Sequence, residues 1–192
     1  MTISAVLLAG GESRRMRRDK AVLQFRGRPL WQLQLELLRK IEPQEIFVSA
    51  RTDPPWRPVD VEFVRDAPPS RGPLSGITAA LTQTKSDHLL VLAIDTPFMT
   101  LEYLRQLLDN LKVGYGIVPM IDNCAEPLAA VYPRNAAVDF GQALSGKNFS
   151  LQPLVASLIA ANKVWPVPVS NEEKPLFRNL NEPDDLGLSD RS

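Results

Sequence analysis

"VLLAGGESRRMRRDKAVL" (residues 6–23) sets an apolar run against two adjacent glycines, then four arginines and a lysine in close succession. A continuous apolar run of this length reads as a strand buried on both faces, the kind found at the centre of a parallel sheet. The glycine pair lets the backbone turn sharply and approach a ligand closely. The spacing therefore predicts a central strand over Ile3 to Ala9, with a ligand loop where it ends.

The same alternation continues along the chain. Leu30, Leu33, Leu37, Leu38 and Ile41 recur at helical spacing and predict a helix over Pro29 to Ile41, with proline at its first turn. "EIFVSA" (45–50) and "VEFV" (61–64) read as strands. "RDAPPSRGPLSGI" (65–77) reads as a glycine- and proline-bearing loop running into a helix, and "HLLVLAI" (88–94) as a buried strand ending at Asp95. A helix capped by Thr100 follows. "YGIVPM" and "PLAAVY" are read as a possible antiparallel pair at a sheet edge or lid. Two helical stretches near 135–144 and 151–161 lead to a last strand, "VWPVPV". Strands alternating with helices imply a three-layer α/β/α sandwich, a mostly parallel Rossmann-like sheet with an antiparallel edge or lid strand. Ligands in such folds lie at the carboxyl ends of the strands.

At 192 residues, 44% hydrophobic and 23% charged, the chain fits one domain spanning 1–192, with enough apolar material for its own core. Lys plus Arg and Asp plus Glu balance at 22 each. Zero net charge argues against nucleic acid and against an anionic membrane as partners. Cys124 is the only cysteine and His88 the only histidine, too few for a disulfide or a structural zinc site. A catalytic Cys–His pair is disfavoured because His88 leads straight into a buried strand. With neither a secretory signal nor a stretch of membrane-spanning length, the expected location is cytoplasmic.

Two readings compete for the basic loop. The bland one is a glycine turn with solvated arginines. The other is a phosphate site, in which the Gly10 and Gly11 amides form an anion-binding concavity and Arg14, Arg15, Arg17, Arg18 and Lys20 supply the counter-charge. A buried strand leading into so dense a group of cations favours phosphate. Neither the P-loop spacing nor the G-x-G-x-x-G fingerprint is present.

The loop resembles the L-A-G-G-x-S-x-R-M-G-x-D-K motif of the molybdenum cofactor guanylyltransferases, the molybdopterin-guanine dinucleotide biosynthesis protein A family. These are nucleotidyltransferases with a nucleotide-diphospho-sugar transferase fold. Leu8, Ala9, Gly10, Gly11, Ser13, Arg15, Met16, Asp19 and Lys20 match. Further landmarks follow in the family order: Arg65–Asp66 with Gly72–Pro73–Leu74 and Gly76–Ile77, then Asp95–Thr96–Pro97, "EPLAAVY", and "NLNEPDDL" with Asn179 and Asn181. Two positions depart. Arg17 stands where the family loop usually has glycine, and Ser49 where some members have asparagine.

The resemblance implies transfer of GMP from GTP to the terminal phosphate of molybdopterin, with Mg²⁺ as cofactor. Lys20, Arg15 and Asp95 would be catalytic. Leu8, Ala9, Gly10, Gly11, Lys20, Asp66 and Asp95 would hold GTP, with Asp95 also the metal ligand, and Asn179 and Asn181 would lie on the pterin side. It also implies partners that deliver the pterin or accept the product. Plainer roles exist beside these: a helix cap for Asp95, a turn aspartate for Asp66, Asx turns for the two asparagines. No protein nucleophile is needed, because catalysis between two anions is chiefly positioning and neutralisation. The nearest alternative is another nucleotidyltransferase of the superfamily, one that uses CTP on the same pterin or activates a sugar phosphate, but the cytidylyl relatives typically read L-A-A-G and D-Q-P where this chain has "LAGG" and "DTP". A non-catalytic GTP-binding adaptor is the alternative from another class.

Overall fold

Six consecutive residues of the opening apolar run form strand β1 (Ile3–Leu8), and they face both ways. Ala5 and Leu7 enter one buried cluster, Val6 and Leu8 another, which places β1 between two helical layers. The computed structural model describes residues 1–10, 19–66 and 69–180.

After a short 3-10 helix at Lys20–Val22, a two-residue hairpin, β2 (Gln24–Phe25) and β3 (Arg28–Pro29), leads into α1 (Leu30–Arg39). Then come β4 (Ile46–Ala50), β5 (Glu62–Arg65), α2 (Pro73–Gln83), β6 (His88–Ala93) and α3 (Leu101–Asp109). The chain continues through β7 (Gly116–Ile121), β8 (Cys124–Ala125) and β9 (Ala129–Pro133). It then forms α4 (Ala137–Ser145), α5 (Leu151–Ala160) and β10 (Val164–Pro168).

The large sheet runs in the order β10-β7-β9-β6-β1-β4-β5, with β8 added beside β7. Parallel pairing joins β1 to β4 and β6, β4 to β5, and β7 to β10. Helices α1 and α3 cover one face through Leu35, Leu38, Leu104 and Leu107. Helices α2, α4 and α5 cover the other through Ile77, Leu81, Phe140, Val155 and Leu158. This is the expected three-layer α/β/α sandwich. The antiparallel elements are β8, at the rim of β7, and β9, which is wholly buried between β6 and β7. Among the described residues no helix is long and apolar enough to cross a membrane.

Strand β10 closes one edge. Val169 N donates inward to Met120 O at 3.0 Å, so the alternate, outward positions fall at Pro166 and Pro168, which have no amide hydrogen. That edge offers little to an added strand. His88 is buried at the start of β6, with Nε2 3.0 Å from Tyr115 O and, among the described residues, no partner for Nδ1. Burial holds its pKa below the ordinary histidine value, as befits a core residue.

Order in the sheet positions the site. From β1 the chain crosses to β4 on one side and later returns to β6 on the other, with α1 and α2 on opposite faces. The gap between the ends of β1 and β6 is thus a topological switch point, the place where such sheets bind ligands.

Candidate active site

Four neighbouring strands end together. Beyond their paired residues the ladders continue: Ile94 N donates to Leu8 O (3.1 Å), Ala9 N to Ser49 O (2.9 Å), and Asp66 N to Ala50 O (3.0 Å). Gly10, Ser49, Asp66 and Asp95 therefore stand side by side along the carboxyl edge. They line one cleft with Leu8, Ala9, Lys20, Gly72, Pro73 and Gly76.

Lys20 and Asp95 meet across this cleft. Lys20 Nζ lies 2.9 Å from Asp95 Oδ2 and 2.9 Å from Leu180 O. The two side chains are 19% and 22% exposed, so the pair is sheltered yet reachable from solvent. Leu180 N in turn donates to Asp95 O at 2.9 Å, which draws the C-terminal segment onto the same edge. Asn179 is one residue upstream and exposed, outside the cleft lining. Gly11, Arg15 and Asn181 lie outside the described residues, as do Ser13, Arg14, Met16, Arg17 and Arg18.

Asp95 is not the cap of the following helix. Thr100 has that task, its Oγ1 accepting from Tyr103 N at 3.2 Å. The turn at Asp95 is held from beneath instead. Gln34 on α1 is buried and donates from Nε2 to Thr96 O (2.8 Å), while Thr96 Oγ1 donates to Ala93 O (2.9 Å).

Among the described residues no group of three or more His, Cys, Asp or Glu side chains is placed to hold a metal ion. The Asp95 carboxylate, in a cleft where no three such groups converge, suits Mg²⁺, which keeps several waters and takes phosphate oxygens beside one or two carboxylates. It does not suit an ion that needs a full protein cage. The donor set fits the expected metal.

Asp66 is only 4% exposed. Burial pushes its carboxyl pKa up; hydrogen bonds from Ser49 and Ser70, and the charge of Arg51, act in the opposite direction. Ser49 Oγ donates to Asp66 Oδ1 at 2.5 Å and Ser70 Oγ to Oδ2 at 3.3 Å. The carboxylate is thus fixed in orientation, which a turn aspartate in solvent would not be.

Two glycines are required by this packing. A Cβ on Gly76 would come within 2.4 Å of Ser49 Oγ and 3.2 Å of Asp66 Oδ1, and one on Gly10 within 2.7 Å of Asp66 Oδ2. Gly10 thus leaves room for the Asp66 side chain. Gly72 serves differently: its φ of 66° turns the chain into α2, with Pro73 at the first helical position.

A mostly parallel sheet between two helical layers, with a lysine–carboxylate pair and close backbone at its switch point, is the ligand-binding arrangement of an open α/β protein; its relatives place it among the nucleotidyltransferases. The chain belongs to the MobA-like NTP transferase family, whose domain it matches over residues 5–161. It is 35% identical over 186 residues to the "Probable molybdenum cofactor guanylyltransferase" of Opitutus terrae, covering 95% of this chain and 92% of the relative. A protein of the same name from Natranaerobius thermophilus is 29% identical over 190 residues, with 96% and 93% covered. The crystal structure of molybdopterin-guanine dinucleotide biosynthesis protein A from Archaeoglobus fulgidus superposes with a TM-score of 0.74 at 26% identity, covering 97% of this chain and 96% of that one. The resemblance carried by the sequence motifs is thereby confirmed at the level of family and fold.

Sequence reading assigned no part to Gln34, and it noted Ser49 only as a departure. A polar residue one place before the end of an apolar strand is the signal that marks Ser49. Nothing in the helical pattern singles out Gln34, whose role depends on where β6 ends.

Proposed function

We propose that this protein transfers GMP from GTP to the terminal phosphate of molybdopterin, releasing pyrophosphate. A phosphate oxygen of the pterin bonds to the α-phosphorus of GTP, and the bond from that phosphorus to the oxygen bridging toward the β-phosphate breaks. The observation that carries this reading is the meeting of Lys20 and Asp95 at 2.9 Å in the cleft between β1 and β6.

Two anions must be brought together, so the protein's work is to neutralise and align them. In this reading the backbone at Leu8, Ala9, Gly10 and Gly11 lies along the nucleotide, and Asp66, held by Ser49 and Ser70, fixes its position. Lys20 exchanges its bond to Asp95 for a phosphate oxygen and, with Arg15, offsets the charge that grows on departing pyrophosphate. Asn179, beside the Leu180 that bonds Lys20 and Asp95, extends the site toward the pterin, and Asn181 is assigned to the same side. Asp95 would hold Mg²⁺, which when bound supplies Lewis-acid stabilisation of phosphoryl oxygens. One domain, working in the cytoplasm with proteins that deliver the pterin or accept the dinucleotide, completes the proposal.

The choice of GTP is tested by thermal unfolding with each nucleotide and Mg²⁺. A ligand at a hundred times its Kd stabilises by about 2.7 kcal/mol, several degrees in Tm for a chain of this size. GTP is expected to raise Tm by that order and CTP by clearly less. A larger shift with CTP would transfer the proposal to the cytidylyl relatives.

A further inference from the structure

We infer that Trp56 is a positioning residue for Lys20: its indole N–H holds Asp19, and Asp19 caps the turn on which Lys20 sits. The inference rests on the role proposed above for Lys20. It adds a part of the chain, the proline-rich loop after β4, to which neither the motifs nor the cleft assigns any role.

That loop is tied to itself. Asp53 accepts two bonds from Arg57, Nε to Oδ1 and Nη2 to Oδ2, each at 2.7 Å. Arg57 N donates to Pro54 O at 3.0 Å, closing a turn with Pro55 and Trp56 at its centre, and Val61 N donates to Pro58 O at 3.1 Å in a second turn. Arg57 Nη1 also reaches the carbonyl oxygens of Pro58 and Val61. Prolines at 54, 55 and 58 restrict the loop before it folds. The result is a stiff mount for one aromatic ring.

The Trp56 ring stacks on Trp31, in the first turn of α1, with centroids 5.6 Å apart and planes 17° from parallel. From that platform Nε1 donates to Asp19 Oδ2 at 3.1 Å. The other carboxylate oxygen, Oδ1, accepts from Ala21 N at 2.9 Å and caps the 3-10 turn that begins at Lys20. Both oxygens of Asp19 are therefore engaged, one by the loop and one by the turn. A carboxylate bonded at both oxygens has a fixed orientation, and the residue that follows it inherits that constraint. Lys20 is that residue, and its Nζ lies 2.9 Å from Asp95 Oδ2.

Trp56→Phe keeps the ring on Trp31 and removes only the N–H. Asp19→Asn keeps one acceptor oxygen for Ala21 N and turns an amide NH2, which donates and cannot accept, toward the Trp56 N–H. In each variant and in the double variant, the equilibrium affinity for GTP·Mg²⁺ and the kcat and KM for pyrophosphate release with molybdopterin would be measured beside Tm. Each single change is expected to lower kcat/KM by about three- to tenfold, the scale of one solvent-exposed hydrogen bond's net contribution, and to weaken GTP binding to a similar or smaller degree. The double variant should lose no more than the worse single one, and Trp56→Phe should keep the wild-type Tm within about 2 °C.

Wild-type constants in Trp56→Phe, or losses that multiply in the double variant, would overturn the inference. So would loss of activity only in Trp56→Leu, with Trp56→Phe intact, since that would reduce Trp56 to packing. If the wild-type protein binds GTP but releases no pyrophosphate with molybdopterin, the proposed acceptor is wrong, and the binding cycle alone decides the coupling. If it does not bind GTP, both readings fall.

Discussion

Replacing Lys20 by alanine should lower pyrophosphate release from GTP and molybdopterin by about a hundredfold or more, with little change in Tm. The asymmetry between those two numbers follows from the position of the pair. Lys20 Nζ and Asp95 Oδ2 are 2.9 Å apart and about one fifth exposed, so water screens the ground-state pair and its contribution to stability is small, about 0–1 kcal/mol. Charge that develops on departing pyrophosphate inside the cleft is another matter. There a pre-placed ammonium needs no reorganisation, and losing one such group typically costs about 10²–10³ in kcat. Alanine would also leave Asp95 facing the triphosphate without its counter-charge. Arginine at position 20 should recover only part of the activity, because its longer planar head does not fit a site that also bonds Leu180 O. A Lys20→Ala protein within about threefold of wild type would remove Lys20 from the machinery.

Asp95→Ala should be at least as severe in turnover, about two orders of magnitude or about 2.7 kcal/mol of barrier, while differing in kind. Its loss frees Lys20 for phosphate, so GTP should still bind in the absence of divalent ion. The steepness of activity against Mg²⁺ concentration should collapse, because the carboxylate proposed to hold the ion is gone. Measuring GTP affinity with and without Mg²⁺ in the two variants separates them. Lys20→Ala is expected to weaken metal-free binding, and Asp95→Ala to remove the gain that Mg²⁺ provides. Full activity in Asp95→Ala would contradict the assignment of this carboxylate.

Much of the frame was legible because burial imposes a simple pattern. β1 and β6 read correctly as strands because strands buried on both faces are apolar at nearly every position, Ser4 and His88 being the exceptions. That same property conceals where a strand lies in the sheet. The short polar connection "IDNCAE" marked "YGIVPM" and "PLAAVY" as an antiparallel pair, as β7 and β9 are, but so apolar a strand gave no sign whether it would lie at an edge or, as β9 does, inside the sheet between β6 and β7. The β2–β3 hairpin was not anticipated either. Its turn places Arg26 and Gly27 at φ of 52° and 74°, where Asn-Gly is the recognisable pair for two left-handed positions.

The site shows the same division. Lys20 and Asp95 are 75 residues apart in sequence, yet motifs at the ends of two buried strands pointed to both. The adjacency of β1 and β6 then brings them together. Asp66 was placed by its motif, but its fixed orientation depends on Ser49 from a neighbouring strand. Trp56 had no one-dimensional signal at all. Its bond to Asp19 depends on how a proline-rich loop folds back over the start of α1, and no periodicity encodes that return.

Pyrophosphate release, followed with purified protein, Mg²⁺ and either GTP or CTP, each with and without molybdopterin, tests the central claim most directly. The account predicts release with GTP and molybdopterin together, and background levels when the pterin is omitted or CTP is substituted. Release from GTP that is indifferent to the pterin, or release supported better by CTP, would contradict it.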